Sequence, residues 1–71
     1  MTAPITLSAS IARNTYILGE QVFTGEMVFN YLVDVLGYSE EDAVDELKNG
    51  TEWALGTMSE AQREECYNFA Q

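Results

Sequence analysis

The chain has 71 residues, 46% of them hydrophobic, with 12 Asp and Glu against 3 Lys and Arg and a formal net charge of −9. That length holds one domain over residues 1–71 with a modest core; the apolar fraction argues against disorder, and the charge repels phosphate backbones and anionic membrane surfaces while attracting basic proteins. With no His in the chain, the ordinary general base near neutral pH and the imidazole metal ligand are both missing, so a binding protein rather than an enzyme is expected.

Met1 to Pro4 carries no basic region and no signal-length apolar run follows it, so neither an export signal nor a membrane span is read here. From Ile5 to Ala12, Ile5, Leu7, Ala9 and Ile11 alternate with Thr6, Ser8, Ser10 and Ala12, the period of a strand with one buried face. Arg13-Asn14 reads as a turn. Thr15 to Leu18 and Gln21 to Phe23 read as strands joined through Gly19-Glu20, with Gly first as a type II′ turn wants. An antiparallel sheet of two or three short strands results, too small to stand alone in water and in need of a helix to cover it.

The helix that follows, Thr24 to Leu36, is apolar on most sides, with Glu26, Asn30 and Asp34 forming one narrow polar stripe. Thr24 suits the N-cap, Phe23 and Val28 a hydrophobic staple, and Gly37 the left-handed stop. Ser39 caps a second helix ending at Asn49-Gly50, with Ala43, Val44 and Leu47 inward and the rest solvated and mostly acidic. The run Leu36-Gly37-Tyr38-Ser39-Glu40-Glu41-Asp42-Ala43-Val44-Asp45-Glu46-Leu47 resembles the first corner and second helix of ubiquitin-associated domains, which place a similar Gly-aromatic pair before an acidic, Ala-containing helix. Gly56 interrupts the third helix of that pattern and the N-terminal strands have no counterpart in it, so the resemblance implies shared helix-corner chemistry. Residues 51–56 fit a short strand, through Trp53 and Leu55, or one helical turn. Ser59 and Gln62 form a capping box opening a last helix to about Phe69, with Ala61, Cys66, Phe69 and Ala70 as its inner face and Met58 at its entrance. The fold expected is α+β: a small antiparallel sheet against a central helix, an acidic second helix and a C-terminal helix.

Chemistry-bearing residues are few. Cys66 follows Glu64 and Glu65, which disfavour a thiolate, so it reads as core, and a lone cysteine in so small a domain fits a cytoplasmic setting. The run Glu40, Glu41, Asp42, Asp45 and Glu46 lacks the spacing of a calcium loop, and no cofactor or metal is expected. Trp53, Tyr16, Tyr31 and Tyr67 suit core or half-exposed positions better than interface anchors. The acidity exceeds what solubility alone needs: Glu41/Asp45 and Asp42/Glu46, four apart on a helix, set carboxylates about 5–6 Å apart in rows. The expected function is therefore presentation of an acidic, nucleic-acid-mimicking surface to a basic, nucleic-acid-binding protein, with Glu26, Asp34, Glu40, Glu41, Asp42, Asp45, Glu46 and Trp53 as the contact residues. The alternative is a protein-protein interaction module or oligomer subunit that uses an apolar surface around Trp53, its charge serving solubility.

Overall fold

The computed structural model describes residues 7–71: a short helix α1 (Ala9–Ala12), a hairpin of β1 (Thr15–Leu18) and β2 (Gln21–Thr24), then α2 (Gly25–Asp34), α3 (Glu40–Lys48), α4 (Thr51–Gly56) and α5 (Glu60–Phe69). The α+β class holds, with a two-stranded antiparallel sheet.

The strand expected over Ile5–Ala12 is corrected. Ile5 and Thr6 lie outside the described residues, and the remainder is a single helical turn capped by Ser8, whose Oγ accepts from the Ile11 amide. A helical turn puts Leu7 and Ile11, four apart, on one face. Both are half-buried against the core while Ala9, which a strand would have placed beside them, is exposed. Over so few residues a spacing of four satisfies both periods, and the Ser cap breaks the tie.

The hairpin pairs Thr15 with Thr24, Tyr16 with Phe23, Ile17 with Val22 and Leu18 with Gln21. Gly19 has φ 65° and among the described residues none other than glycine has positive φ, the sign pattern of a turn with only its first central residue left-handed. Alternation then divides the faces. Phe23 is fully buried and Tyr16 half-buried on the inner one, whereas Ile17 and Val22 are exposed on the outer one.

Helix α2 is the hub of the core, packing against α1, β2, α3, α4 and α5. Thr24 Oγ1 accepts from the Met27 amide at 3.2 Å, and Val28, Tyr31 and Leu32 are almost wholly enclosed. The helix ends at Asp34, two residues earlier than expected. Its last turn widens: the Leu36 amide reaches Tyr31 O at 3.2 Å, the Tyr38 amide reaches Leu32 O at 2.9 Å, and Gly37 takes φ 78°. Val35, one of the apolar residues of this stretch, is left exposed. Covering the hairpin is shared: β1 packs on α4, and β2 on both α2 and α5, with Phe23 and Tyr67 in an edge-to-face contact at 5.7 Å.

Residues 51–56 are helical. Gly50 gives α4 no side-chain cap, and Asn14 takes that place from outside the helix: its Oδ1 accepts from the buried Thr51 amide at 2.8 Å. The Thr51 hydroxyl in turn donates to Asn14 O at 2.7 Å, and Gly25 N–H donates to the same oxygen at 2.9 Å. One turn residue therefore ties α1, α2 and α4 together. In α5 the capping box of Ser59 and Gln62 is complete in both directions. Its inner face is corrected: Cys66 is buried and Arg63 and Tyr67 half-buried, whereas Ala61, Phe69 and Ala70 are exposed.

Candidate protein-binding surface

Helix α3 stands on Ala43 and Leu47, both buried, and on half-buried Val44. Its first turn carries Glu40, Glu41 and Asp42 beside the helix N-terminus, where carboxylates are favourable, and Ser39 Oγ accepts from the Asp42 amide at 3.1 Å. Glu41, Asp42 and Asp45 point to solvent. Glu40 and Glu46, expected to be solvated with them, are half-buried, and the Glu46 Oε2 atom is enclosed with no hydrogen-bond partner among the described residues. The cause is their place on the flanks of a nine-residue helix that packs against both α2 and α4.

Counter-charge is scarce. Among the described residues the ion pair is Lys48 Nζ to Asp45 Oδ1 at 3.5 Å, with both side chains about two-thirds exposed. A pair so exposed contributes at most about 1 kcal/mol and leaves the surface field strongly negative.

The eight expected contact residues do not form one patch. Asp34 ends α2 and Glu40 to Asp42 open α3, so these meet at the corner around Gly37. Glu26 lies at the other end of α2, about 12 Å away at 1.5 Å per residue. Trp53 is exposed on α4, beyond the far end of α3, and lines a groove of about 570 Å³ with Tyr16, Leu18, Leu55, Glu52 and Arg63. The groove begins at the C-terminal end of α3, where Asn49 lines it, so Glu41 lies about 12 Å from it along the helix while Asp45 is about one turn away.

Several residues that organise this second region carried no local signal in the sequence. Arg63 Nη1 donates to Met58 O at 2.8 Å and Leu55 O at 3.4 Å, which sets its positive charge at the C-terminal end of α4. Gln21 Nε2 donates to Glu64 Oε2 at 2.7 Å, joining hairpin to α5, and the Tyr31 hydroxyl donates to Glu65 Oε1 at 2.5 Å. All three are contacts between elements that meet only on folding. Burial, then the hydrogen bond to Glu65 and its negative charge, pushes the Tyr31 phenol up to about 12. Burial pushes the Cys66 thiol up to about 11, so at neutral pH it is a protonated core side chain and no nucleophile.

Among the described residues no three Asp, Glu or Cys side chains converge as metal ligands would, and no helix is long and apolar enough to cross a membrane. Comparison with protein-family models, with characterised proteins and with solved structures finds no match to this chain.

Proposed function

We propose that this protein acts by binding, and that its acidic corner occupies the nucleic-acid site of a basic partner protein. The observation that carries the reading is the outward display of Glu41, Asp42 and Asp45 beside Asp34 with Lys48 as the neighbouring cation. Side chains four apart on a helix have Cβ atoms about 5–6 Å apart, so Glu41 and Asp45 hold two negative charges side by side, as successive phosphates of a strand do. By size and charge the fitting class is the small acidic inhibitors that bacteriophages direct against host defence or transcription, anti-CRISPR proteins among them. In that setting the chain works in the host cytoplasm, needs no cofactor and does not itself touch nucleic acid or membrane.

The test begins with capture of the partner from host lysate and its identification by mass spectrometry. Binding to that partner should weaken with added salt and should be displaced by DNA or RNA. Changing Glu41→Gln, Asp42→Asn and Asp45→Asn together should lower the affinity and flatten its salt dependence. Undiminished binding by this variant, with no competition from nucleic acid, would sink the proposal.

A second reading has its own support. Trp53 is 56% exposed and Leu18, across the groove from it, 37% exposed. Tryptophan left in water beside other apolar groups is the usual make-up of a binding hot spot. In this reading the groove carries the contact and the acidic corner steers the approach.

A further inference from the structure

Among the described residues the hairpin has an unused edge. A two-residue turn between Leu18 and Gln21 makes these a hydrogen-bonded pair, so Tyr16 with Phe23 is the next such pair, and Ile17 with Val22 lies between them. The N–H and C=O of Ile17 therefore point away from β2, as do those of Thr15. Neither residue makes a backbone hydrogen bond outside the hairpin among the described residues. Ile17 is 63% exposed, the most open of the large apolar residues among those described. An unpaired edge of this kind accepts another strand, which supplies main-chain bonds and drops alternate side chains onto the two faces.

The Trp53 groove lies on the face of β1 that carries Tyr16 and Leu18. We infer that β1 receives an extended segment of a partner protein as an antiparallel third strand, with apolar side chains entering the groove toward Trp53 and basic side chains on the opposite face. Charge selects this occupant. Glu20 sits in the turn at the end of β1, and the molecule carries −9 overall, a field that attracts basic side chains on either face of the added strand. A second copy pairing edge to edge would set −9 against −9, whereas a Lys- or Arg-bearing strand is drawn in by the same field. Arg63, the cation that lines the groove, is held by Met58 O and Leu55 O on the face that receives the apolar side chains, away from the face given to the basic ones. The inference rests on the reading of this chain as a protein-binding module, and it names the chemistry of the segment bound at the second surface.

Pairing geometry makes the inference specific. A residue opposite Ile17 in an antiparallel ladder exchanges both main-chain bonds with it and shares its outer face. In the probe Lys-Ile-Lys-Val-Lys-Ile-Lys, blocked at both ends and carrying a fluorophore, the lysine amides must then face β1 while Ile and Val enter the groove. Fluorescence anisotropy should show saturable binding, and N-methylation of the two inner lysine amides should weaken it about tenfold or more, an ordinary loss for removed main-chain bonds. N-methylation at the Ile and Val amides should be tolerated. Trp53→Ala, at an exposed position where the circular dichroism spectrum should stay unchanged, should weaken binding similarly, and a probe with Glu in place of Lys should not bind.

The variant neutralised at Glu41, Asp42 and Asp45 separates the two proposals. Retained probe binding by it supports the groove whatever becomes of the acidic corner. Binding lost in that variant but kept in Trp53→Ala overturns the groove inference and leaves the acidic-corner reading standing. Equal tolerance of N-methylation at every position, absence of saturable binding, or a dimer of the chain alone in sedimentation that the probe fails to dissociate would each overturn it as well.

Discussion

Single atoms decide more here than residue classes suggest. A Cβ built on Gly25 would lie 1.9 Å from the Ile11 carbonyl oxygen and 2.9 Å from its carbon, both backbone atoms of α1. Alanine in a helix is favoured over glycine by about 1 kcal/mol, so propensity alone would make Gly25→Ala stabilising. The collision is with main chain that no rotamer change relieves, and it outweighs that gain. Gly25→Ala should lower the urea midpoint, whereas a raised midpoint would mean that α1 does not pack on α2. The buried Tyr31 and Cys66 make a second prediction at this scale. Both fold with raised values, from 10.0 to about 12 and from 9.0 to about 11, so the protonated forms are the ones the fold favours. Their contribution is intact below pH 9 and is lost as pH rises, through 9–11 for the thiol and 10–12 for the phenol. The urea midpoint should therefore fall above pH 9. Tyr31→Phe should cost about 1 kcal/mol at neutral pH for the bond to Glu65, and should flatten the decline above pH 10. An identical alkaline slope in the variant would show that the phenol is not held as described.

At the scale of elements, Leu32 tests whether α2 is the hub. It is 1% exposed and shares its helix with buried Val28 and Tyr31. Leu32→Ala should cost about 2–5 kcal/mol, a large part of the roughly 4–10 kcal/mol that a chain of this length has to lose. An unchanged denaturation midpoint would remove α2 from the centre. What was legible in the sequence follows from where each element's determinants lie. Helices α2, α3 and α5 carry their caps within three residues, as Thr24, Ser39 and Ser59, and the hairpin carries Gly19 in its own turn. These could be read locally. Helix α4 could not, because its cap is Asn14, 37 positions earlier in the chain. Helix α1 carries no distinguishing local periodicity, because Leu7 and Ile11 suit either period. The inner face of α5 was misplaced for a related reason: Arg63, a charged residue, turns inward to reach the Leu55 and Met58 carbonyls, and Phe69 remains half in water. Of the contact residues, acidity marked Glu41, Asp42 and Asp45 as surface, but Glu40 and Glu46 are half-buried on the flanks of α3, and only the packing of α3 and α4 could show that Trp53 lines a groove of its own.

For the whole molecule, the charge raises the question of how far it works against folding. Nine net negative charges sit on a body with a radius of gyration of 11.1 Å. The screening length is about 30 Å at 0.01 M salt and about 10 Å at 0.1 M, so at low salt every carboxylate feels the others across the molecule, and at moderate salt only its neighbours. Stability should accordingly rise as sodium chloride is added over that range. Neutralising Glu41, Asp42 and Asp45 takes the net charge from −9 to −6. Locally the changes oppose one another. Relief of the Glu41/Asp45 and Asp42/Glu46 repulsions returns about 0.2–0.5 kcal/mol each. Against this stand the loss of two first-turn carboxylates at the α3 N-terminus, about 0.3–1 kcal/mol each, and of the exposed Lys48 pair, at most about 1 kcal/mol. The local sum is thus slightly unfavourable and the long-range term favourable, so the variant should stay folded within about 1 kcal/mol of the parent at moderate salt. Its stability should also respond less to added salt. Urea midpoints of both proteins across the salt series check this: a parent whose midpoint falls with salt would mean that attractive pairs, not repulsion, dominate its surface, and the acidic corner would then be a structural device rather than one held ready for a partner.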